Sequence, residues 1–490
     1  MPPPLLPPAE PSKNTGVWTI LCICAALALL CVAALLGGIL FLGSARSKST
    51  SEKTDNAEAL VDQRTHEVER NPNNPQTYND RGMARRAAGD FDGAIADFNR
   101  AIELDPKREA VFGLNRAEAR IFQADYAGAI ADCDRILTTN AQLARALATR
   151  ALARALNGDI EVAITDANRA IELDPREARA YIARGQARSG KSDFTGAFDD
   201  CNQAIGITHD DAWAFYIRGL THLARYKSDE DHYDALSRER NDMRKAEEDF
   251  DTAIQLNPRF AQVYNHRGEV QIIHRKWKDA VTEFSHAIDL NPKYADAYAN
   301  RGEARADVGD AQNAVADFNR AIDLHTRHRG VFTSRGVSHM ALGHWKEALA
   351  DFRHSAESPA GDDEFAHLYI WLVRARLGET EAASRELSAF LQSRPGRAND
   401  DWLATAAGFL LGKVARDEMM HAAESMRLKN TADLYEKRGR TTQAWYLDGM
   451  QKLFAGNERE AARSFDMARF SNPDLREGQL AQAELARLAK

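Results

Sequence analysis

Small and apolar positions recur along most of the chain with a period of 34 residues. Each period contains an arginine followed by a small residue: Arg81–Gly82, Arg116–Ala117, Arg150–Ala151, Arg184–Gly185, Arg218–Gly219, Arg267–Gly268, Arg301–Gly302 and Arg335–Gly336. Twelve positions beyond the small residue stands an alanine, at 94, 129, 163, 197, 280, 314 and 348, with Ala246 in that place in an expanded fifth unit. Four further on comes a core slot, held by Phe98, Cys133, Ala167, Cys201, Phe250, Phe284, Phe318 and Phe352. Proline closes several units, at 106, 175, 258 and 292. The first spacing is 35, and Arg218 to Arg267 spans 49, an insertion of about 15 residues.

This spacing predicts two helices per unit. In the first unit they run from about Gln76 to Ala88 and from Phe91 to Leu104, with the turn at Gly89–Asp90 and the stop at Pro106. Small residues let the two helices approach, and the phenylalanine fills the space between pairs. No unit buries its apolar face alone, so neighbours must stack. The period, the small–small–aromatic set and the closing proline resemble the tetratricopeptide repeat. That resemblance implies an all-α fold, a right-handed α-solenoid of helix-turn-helix units.

An acid stands 16 positions after nearly every arginine, giving Arg81 with Asp97, Arg116 with Asp132, Arg150 with Asp166, Arg184 with Asp200, Arg267 with Glu283, Arg301 with Asp317 and Arg335 with Asp351. In the expanded unit Asp249 takes the place opposite Arg218. Arg81 lies eight residues before Gly89 and Asp97 eight after it. Antiparallel helices bring such positions face to face, so these are expected to be structural pairs within each repeat, the rigid arginine fork holding a carboxylate by two bonds.

Residues 226–245 carry the insertion near the turn of the fifth unit, either extending its helices or forming a charged loop. His222 and His232 with Asp229, Glu230 and Asp231 have no metal-ligand spacing and read as a solvated charged face. Beyond residue 360 the units diverge. Residues 367–395 keep Gly378, Ala383 and Pro395, residues 400–424 form a degenerate pair, and residues 444–473 match closely through Gly449, Gly456, Ala461, Phe465 and Pro473. A polar last helix is expected to cap the array. The tail, through Trp371 to Gly378, Phe409 to Gly412 and Tyr446 to Phe465, resembles bacterial envelope proteins of the NlpI type. That resemblance implies a non-enzymatic adaptor for cell-wall hydrolases and an envelope protease. This sequence departs from the type in lacking a lipobox and in having more regular repeats.

Residues 1–15 are proline-rich and read as a disordered tail. Residues 16–43 contain no charged side chain, enough for a transmembrane helix and too long for a signal-peptide core. The domain order expected is therefore tail, transmembrane helix, a linker and leading helix over 44–74, eight units with the insertion over 75–360, and divergent units with a cap over 361–490. A single-pass protein of a bacterial inner membrane follows, with the lipid bilayer engaged through 16–43. The flanking charges favour a cytoplasmic array, the NlpI resemblance a periplasmic one. Net charge is −8, which leaves no electrostatic footprint for nucleic acid. Cys22, Cys24 and Cys31 lie in the apolar run, while Cys133 and Cys201 fall in core slots and read as buried small side chains.

No nucleophile elbow, phosphate loop or dinucleotide fingerprint is present, and "HEVER" at 66–70 has Arg70 where a zinc helix needs its second histidine. No enzyme activity, cofactor or metal is expected. Function is expected on the concave side, which first helices line in such superhelices. Positions two before and two after each arginine give the candidate groove: Asn79, Met83, Leu114, Glu118, Ile182, Gln186, Tyr216, Leu220, Asn265, Glu269 and Glu303. They form no carboxylate clamp and suit a protein or peptide with apolar anchors and some basic groups. The leading reading is a membrane-anchored scaffold that organises envelope enzymes. The alternatives are a self-assembling module, pairing through Trp402, Phe409 and Leu410 as a homo-oligomer, and a regulatory subunit of an envelope protease or cell-wall enzyme complex.

Overall fold

The computed structural model describes residues 57–228, 235–326, 328, 330–357, 364–394, 401–425, 431–472 and 476–489. A leading helix α1 covers residues 57–70. Eight helical pairs follow: α2 (Pro75–Ala87) with α3 (Phe91–Leu104), α4 (Glu109–Phe122) with α5 (Tyr126–Thr139), α6 (Ala144–Asn157) with α7 (Ile160–Leu173), and α8 (Ala178–Gly190) with α9 (Phe194–Ile207). Then come α10 (Ala212–Ser228) with α11 (Ala235–Leu256), α12 (Ala261–Ile273) with α13 (Trp277–Leu290), α14 (Ala295–Asp307) with α15 (Ala311–Asp323), and α16 (Val331–Leu342) with α17 (Trp345–Ala356). The divergent part has α18 (Ala366–Arg376), α19 (Thr380–Ser393), α20 (Trp402–Leu410), α21 (Arg416–Glu424), α22 (Thr431–Phe454), α23 (Glu458–Ser471) and α24 (Arg476–Leu488). No strand occurs among the described residues.

The intra-unit turns of the first, second and fourth units share one device. An aspartate caps the second helix: Asp90 accepts from the Gly93 N–H at 2.9 Å, Asp125 from Gly128 at 2.9 Å and Asp193 from Gly196 at 3.0 Å. The residue before each cap is left-handed, at Gly89 (φ 78°) and, without a glycine, at Ala124 (63°) and Ser192 (62°).

Core packing explains why the residue after each arginine is small. A Cβ on Gly302 would stand 2.7 Å from the Phe318 ring, and one on Gly268 would stand 2.6 Å from Phe284. Where the core slot shrinks to Cys133 or Ala167, the facing position is Ala117 or Ala151 instead. All five phenylalanines in the regular slots are fully buried, each contributing about 1.5–3 kcal/mol.

The arginines do more than join two helices. Arg301 Nε and Nη2 donate to the two oxygens of Asp317 at 2.9 and 2.8 Å, while Nη1 reaches Ser285 of the preceding unit at 3.1 Å. Arg184 likewise holds Asp200 (2.9 and 2.7 Å) and Asn168 (2.8 Å). Arg150 holds Asp166 at 2.7 Å twice and Asp134 at 2.7 Å, and Arg335 holds Asp351 at 2.9 and 2.6 Å and Asn319 at 2.7 Å. Arg81–Asp97, Arg116–Asp132, Arg218–Asp249 and Arg267–Glu283 have the same two-bond geometry. An aromatic ring three residues earlier lies beneath most forks, with Tyr298 5.5 Å from Arg301.

The insertion lengthens both helices of the fifth unit, to 17 residues in α10 and 22 in α11. The added turns carry their own polar clasp: buried Asp242 meets His222 Nδ1 at 2.8 Å and accepts from Arg225 Nε at 2.8 Å. Asp229, Glu230, Asp231 and His232 lie outside the described residues.

Two closures turn the array back on itself. Near the sixth unit, Arg259 donates to the Ala88 carbonyl and pairs with Glu58 at 2.7 Å, and Lys293 pairs with Asp92 at 2.7 Å. Phe260 packs against Phe122, Trp213 and Tyr216, with ring centroids 5.2, 4.6 and 4.9 Å away. At the other end α24 covers α22 and α23, as a cap would, and also reaches the concave side of the eighth unit. Arg487 donates to the Met340 and Ala341 carbonyls at 2.6 and 2.8 Å, and Gln479 to Asp307 at 2.6 Å.

Two expectations are corrected here. No helix among the described residues is long and apolar enough to cross a membrane. Residues 16–43 lie outside the described residues. The fold is therefore stated as an all-α solenoid, and the transmembrane helix, bilayer contact and single-pass inner-membrane location are not carried forward. The apolar face assigned to Trp402, Phe409 and Leu410 is not a free surface either. Trp402 and Leu410 are buried and Phe409 is half-buried against the same core, with Trp402 Nε1 donating to Gln443 at 2.6 Å.

The three-helix fork yields a stability prediction. Asp317→Ala leaves Arg301 and Arg305 without their shared carboxylate in a buried setting and should cost about 3–5 kcal/mol in urea unfolding. A loss below about 1 kcal/mol would place the pair among solvent-screened ones.

Candidate functional site

First helices line the concave side, but their candidate residues divide into two groups. Leu114 and Ile182 are buried between helices, so helix packing consumes them. Asn79 is buried and accepts from Asn115 of the next unit at 2.8 Å. Glu118 is buried at a junction of four units, meeting Arg86, Arg145 at 2.7 Å and Arg179 at 2.7 Å. Burial alone would raise its pKa, yet the three guanidinium groups overcome that and hold it at about 2. Met83 is exposed, on the rim of the first unit. Glu303 is half-buried, accepting from Ser334 at 3.2 Å with His328 at 3.6 Å.

The remaining five, Gln186, Tyr216, Leu220, Asn265 and Glu269, converge on one cavity of about 720 Å³. It sits where the first closure brings the turn before α5 and the segment 293–296 opposite α8, α10 and α12. Tyr216 forms the floor and is itself buried in the aromatic cluster of the closure. Burial and the nearby Tyr126 and Glu269 push its hydroxyl pKa well above the ordinary range. Asn265 accepts from Asn300 at 3.0 Å, repeating the link of Asn79 to Asn115. Glu269 has His266 at 3.0 Å and Lys227 at 3.2 Å; burial opposes ionisation, but these two groups hold the carboxyl at about 2.

Several residues of this region were not among the sequence candidates. Gln262, Lys293 and Tyr294 enter it only because units far apart in sequence meet at the closure, and no local pattern marks them. The inter-unit contacts of the forks, by contrast, carried a signal. The position two after each acid is polar: Asn99, Asp134, Asn168, Asn202, Asp251, Ser285 and Asn319.

Nothing in the concave wall assembles a catalytic or metal-holding set. No group of three or more His, Cys, Asp or Glu side chains is placed to hold a metal among the described residues. Cys133 and Cys201 are fully buried in their core slots. Burial pushes the Cys133 thiol up to about 12 and that of Cys201 further still, so neither is a thiolate at neutral pH.

Stacked helix pairs around a polar concave cavity define a helical repeat scaffold. Tetratricopeptide repeat models match residues 75–108, and residues 148–212 and 272–327. A segment of 65 residues is 40% identical to mouse tetratricopeptide repeat protein 36; it covers 13% of this chain and 34% of that relative. Among solved structures, a tetratricopeptide repeat protein from Parabacteroides merdae is 16% identical, with 59% of this chain and 99% of that chain covered and a TM-score of 0.35. The Pseudomonas aeruginosa protein pilF is 15% identical, with 46% and 96% covered and a TM-score of 0.38. Tetratricopeptide repeats are therefore shown over residues 75–108, 148–212 and 272–327 of this chain.

The Glu118 junction predicts a pH dependence. Its folded pKa lies below the unfolded value of 4.5, so its stabilisation is complete above about pH 4.5 and fades as pH falls toward 2. A shift of this size corresponds to about 3 kcal/mol. Glu118→Gln should therefore unfold more easily than wild type at pH 7, with the gap narrowing progressively between pH 4.5 and 2. A gap independent of pH over that window would show that the carboxylate charge is not what the arginines recognise.

Proposed function

We propose that this chain is a protein-binding scaffold whose concave cavity receives a segment of a partner protein. The observation that carries the proposal is the convergence of Gln186, Tyr216, Leu220, Asn265 and Glu269 on one cavity. Its volume, about 720 Å³, is of the size that takes several side chains. Apolar Leu156 and Leu220 stand beside amide and carboxylate groups there, a mixture suited to anchoring and orienting a peptide. The tail's resemblance to NlpI-type proteins supports an adaptor in the general sense. A membrane anchor is no part of the proposal.

A photo-crosslinking amino acid placed at Leu220 in the full chain tests it. A discrete crosslinked partner is expected from Leu220, and none from Val162, which is exposed on the second helix of its unit. Equal yields at both positions, or none at Leu220, would count against the cavity.

One observation favours self-assembly as a second reading. Phe470 is 88% exposed and Met467, one turn earlier on α23, is 44% exposed. Such a pair is a plausible small contact between copies. Light scattering should then show mass rising with concentration, and Phe470→Ser should abolish the rise; a constant monomer mass across the micromolar range would refute this reading.

A further inference from the structure

Two buried amide oxygens on the walls of the concave cavity have no partner among the described residues. Gln262 is only 4% exposed; its amide nitrogen is committed to the Phe122 carbonyl at 2.8 Å, and its Oε1 has no partner. Gln186 Oε1, on the opposite wall, is also a buried acceptor without a partner. The carboxylates of Glu269 and Asp296 line the same space; Glu269 already meets His266 at 3.0 Å and Lys227 at 3.2 Å at the cavity edge, and Asp296 accepts from Thr326 at 2.8 Å. Lys293 also borders the cavity, but Asp92 holds its ammonium at 2.7 and 3.0 Å across the closure. His266, His325 and His328 complete the titratable groups among the described lining residues, with Asp125 capping α5.

Unpaired buried acceptors are costly, and ionised carboxylates select for positive charge. Lysine and arginine side chains are the cationic groups that only donate. The rings of Tyr216 and Tyr294 add faces against which a cation is attracted.

We propose that this cavity is a subsite for a lysine or arginine side chain presented by the partner segment. The inference rests on the reading of the cavity as a partner-binding site. It narrows that reading from any peptide to one carrying a cation, with Glu269 and Asp296 facing the charge and Gln186 and Gln262 accepting its hydrogen bonds. The aliphatic stem of the bound residue would lie along Leu220 and Leu156.

The test uses the full chain and a phage-displayed library of random dodecapeptides. Peptides selected by wild type, and blocked by the cavity-filling variant Leu220→Trp, should share a lysine or arginine. Replacing that lysine by norleucine, or that arginine by citrulline, should weaken binding at least about tenfold, as expected for loss of a charge-assisted contact. Glu269→Gln should weaken the unmodified peptide to a similar degree and leave the neutral one unchanged. If Glu269→Gln fails to fold, the neutral peptide probes the same contact without altering the protein. Peptides that Leu220→Trp blocks but that bind equally well without their charge would overturn the cation subsite and leave the partner-binding reading standing. If no selected peptide is blocked by Leu220→Trp, both fall. Saturable binding of spermidine at the cavity, with no peptide bound, would overturn the assignment to a partner protein.

Discussion

Each repeat arginine is a three-way joint, and the geometry of the solenoid depends on it. Its fork fixes the second helix of its own unit through two bonds to one carboxylate. Its remaining nitrogen reaches back to the second helix of the unit before. A ring below the guanidinium limits its orientation. Five donors in a rigid plane can make such a joint, and a lysine ammonium cannot reproduce it. The net energy of each joint is modest, because both charges lose water. Its stronger effect is on angle, since the same joint repeated through the regular units sets the rotation from one unit to the next.

That rotation produces the site. The candidate cavity is not a property of one unit or of two neighbours. It exists because accumulated curvature brings Phe260 and Lys293 against the ends of the first two units. The aromatic cluster around Trp213 and Tyr216 seals the floor, and the half-buried polar residues above it are left facing one another. Stability and recognition are therefore divided within the same helices. Leu114, Ile182 and Glu118 serve the packing, while Leu220 and Glu269, which stand in later units where Glu118 stands in its own, two after the arginine, line the cavity, Glu269 paired with His266 and Lys227.

This division explains what the amino-acid pattern could and could not reveal. The helix pairs, the glycine facing each phenylalanine and the acid opposite each arginine follow from local spacing, because stacked units interact chiefly with their neighbours. Glu118 and Glu269 occupy the same slot and look alike in sequence, yet one is locked by three arginines and the other borders a cavity. Glu118 is held by arginines of neighbouring units, whereas the cavity wall across from Glu269 comes from residues 123–126, more than a hundred positions away, which no periodicity encodes. Trp402 and Leu410 are buried for a related reason: their cover includes α22, which returns from later in the chain. The polar partner of the arginine in the previous unit has a local signal, a polar residue two positions after each acid, with asparagine filling most of that slot.

The first closure also alters how such a chain can change over evolutionary time. An open repeat array accepts the duplication or loss of a whole unit, because each interface is much like the next. Between Phe122 and Phe260 that freedom is gone: adding one helical pair would rotate the sixth unit away from the carbonyls of Ala88 and Phe122 that it now engages. The added length in this stretch is accordingly carried as longer helices in α10 and α11, a change that leaves the number of units unaltered. Copy number, ordinarily the most variable trait of a repeat protein, is here a dimension of the cavity itself.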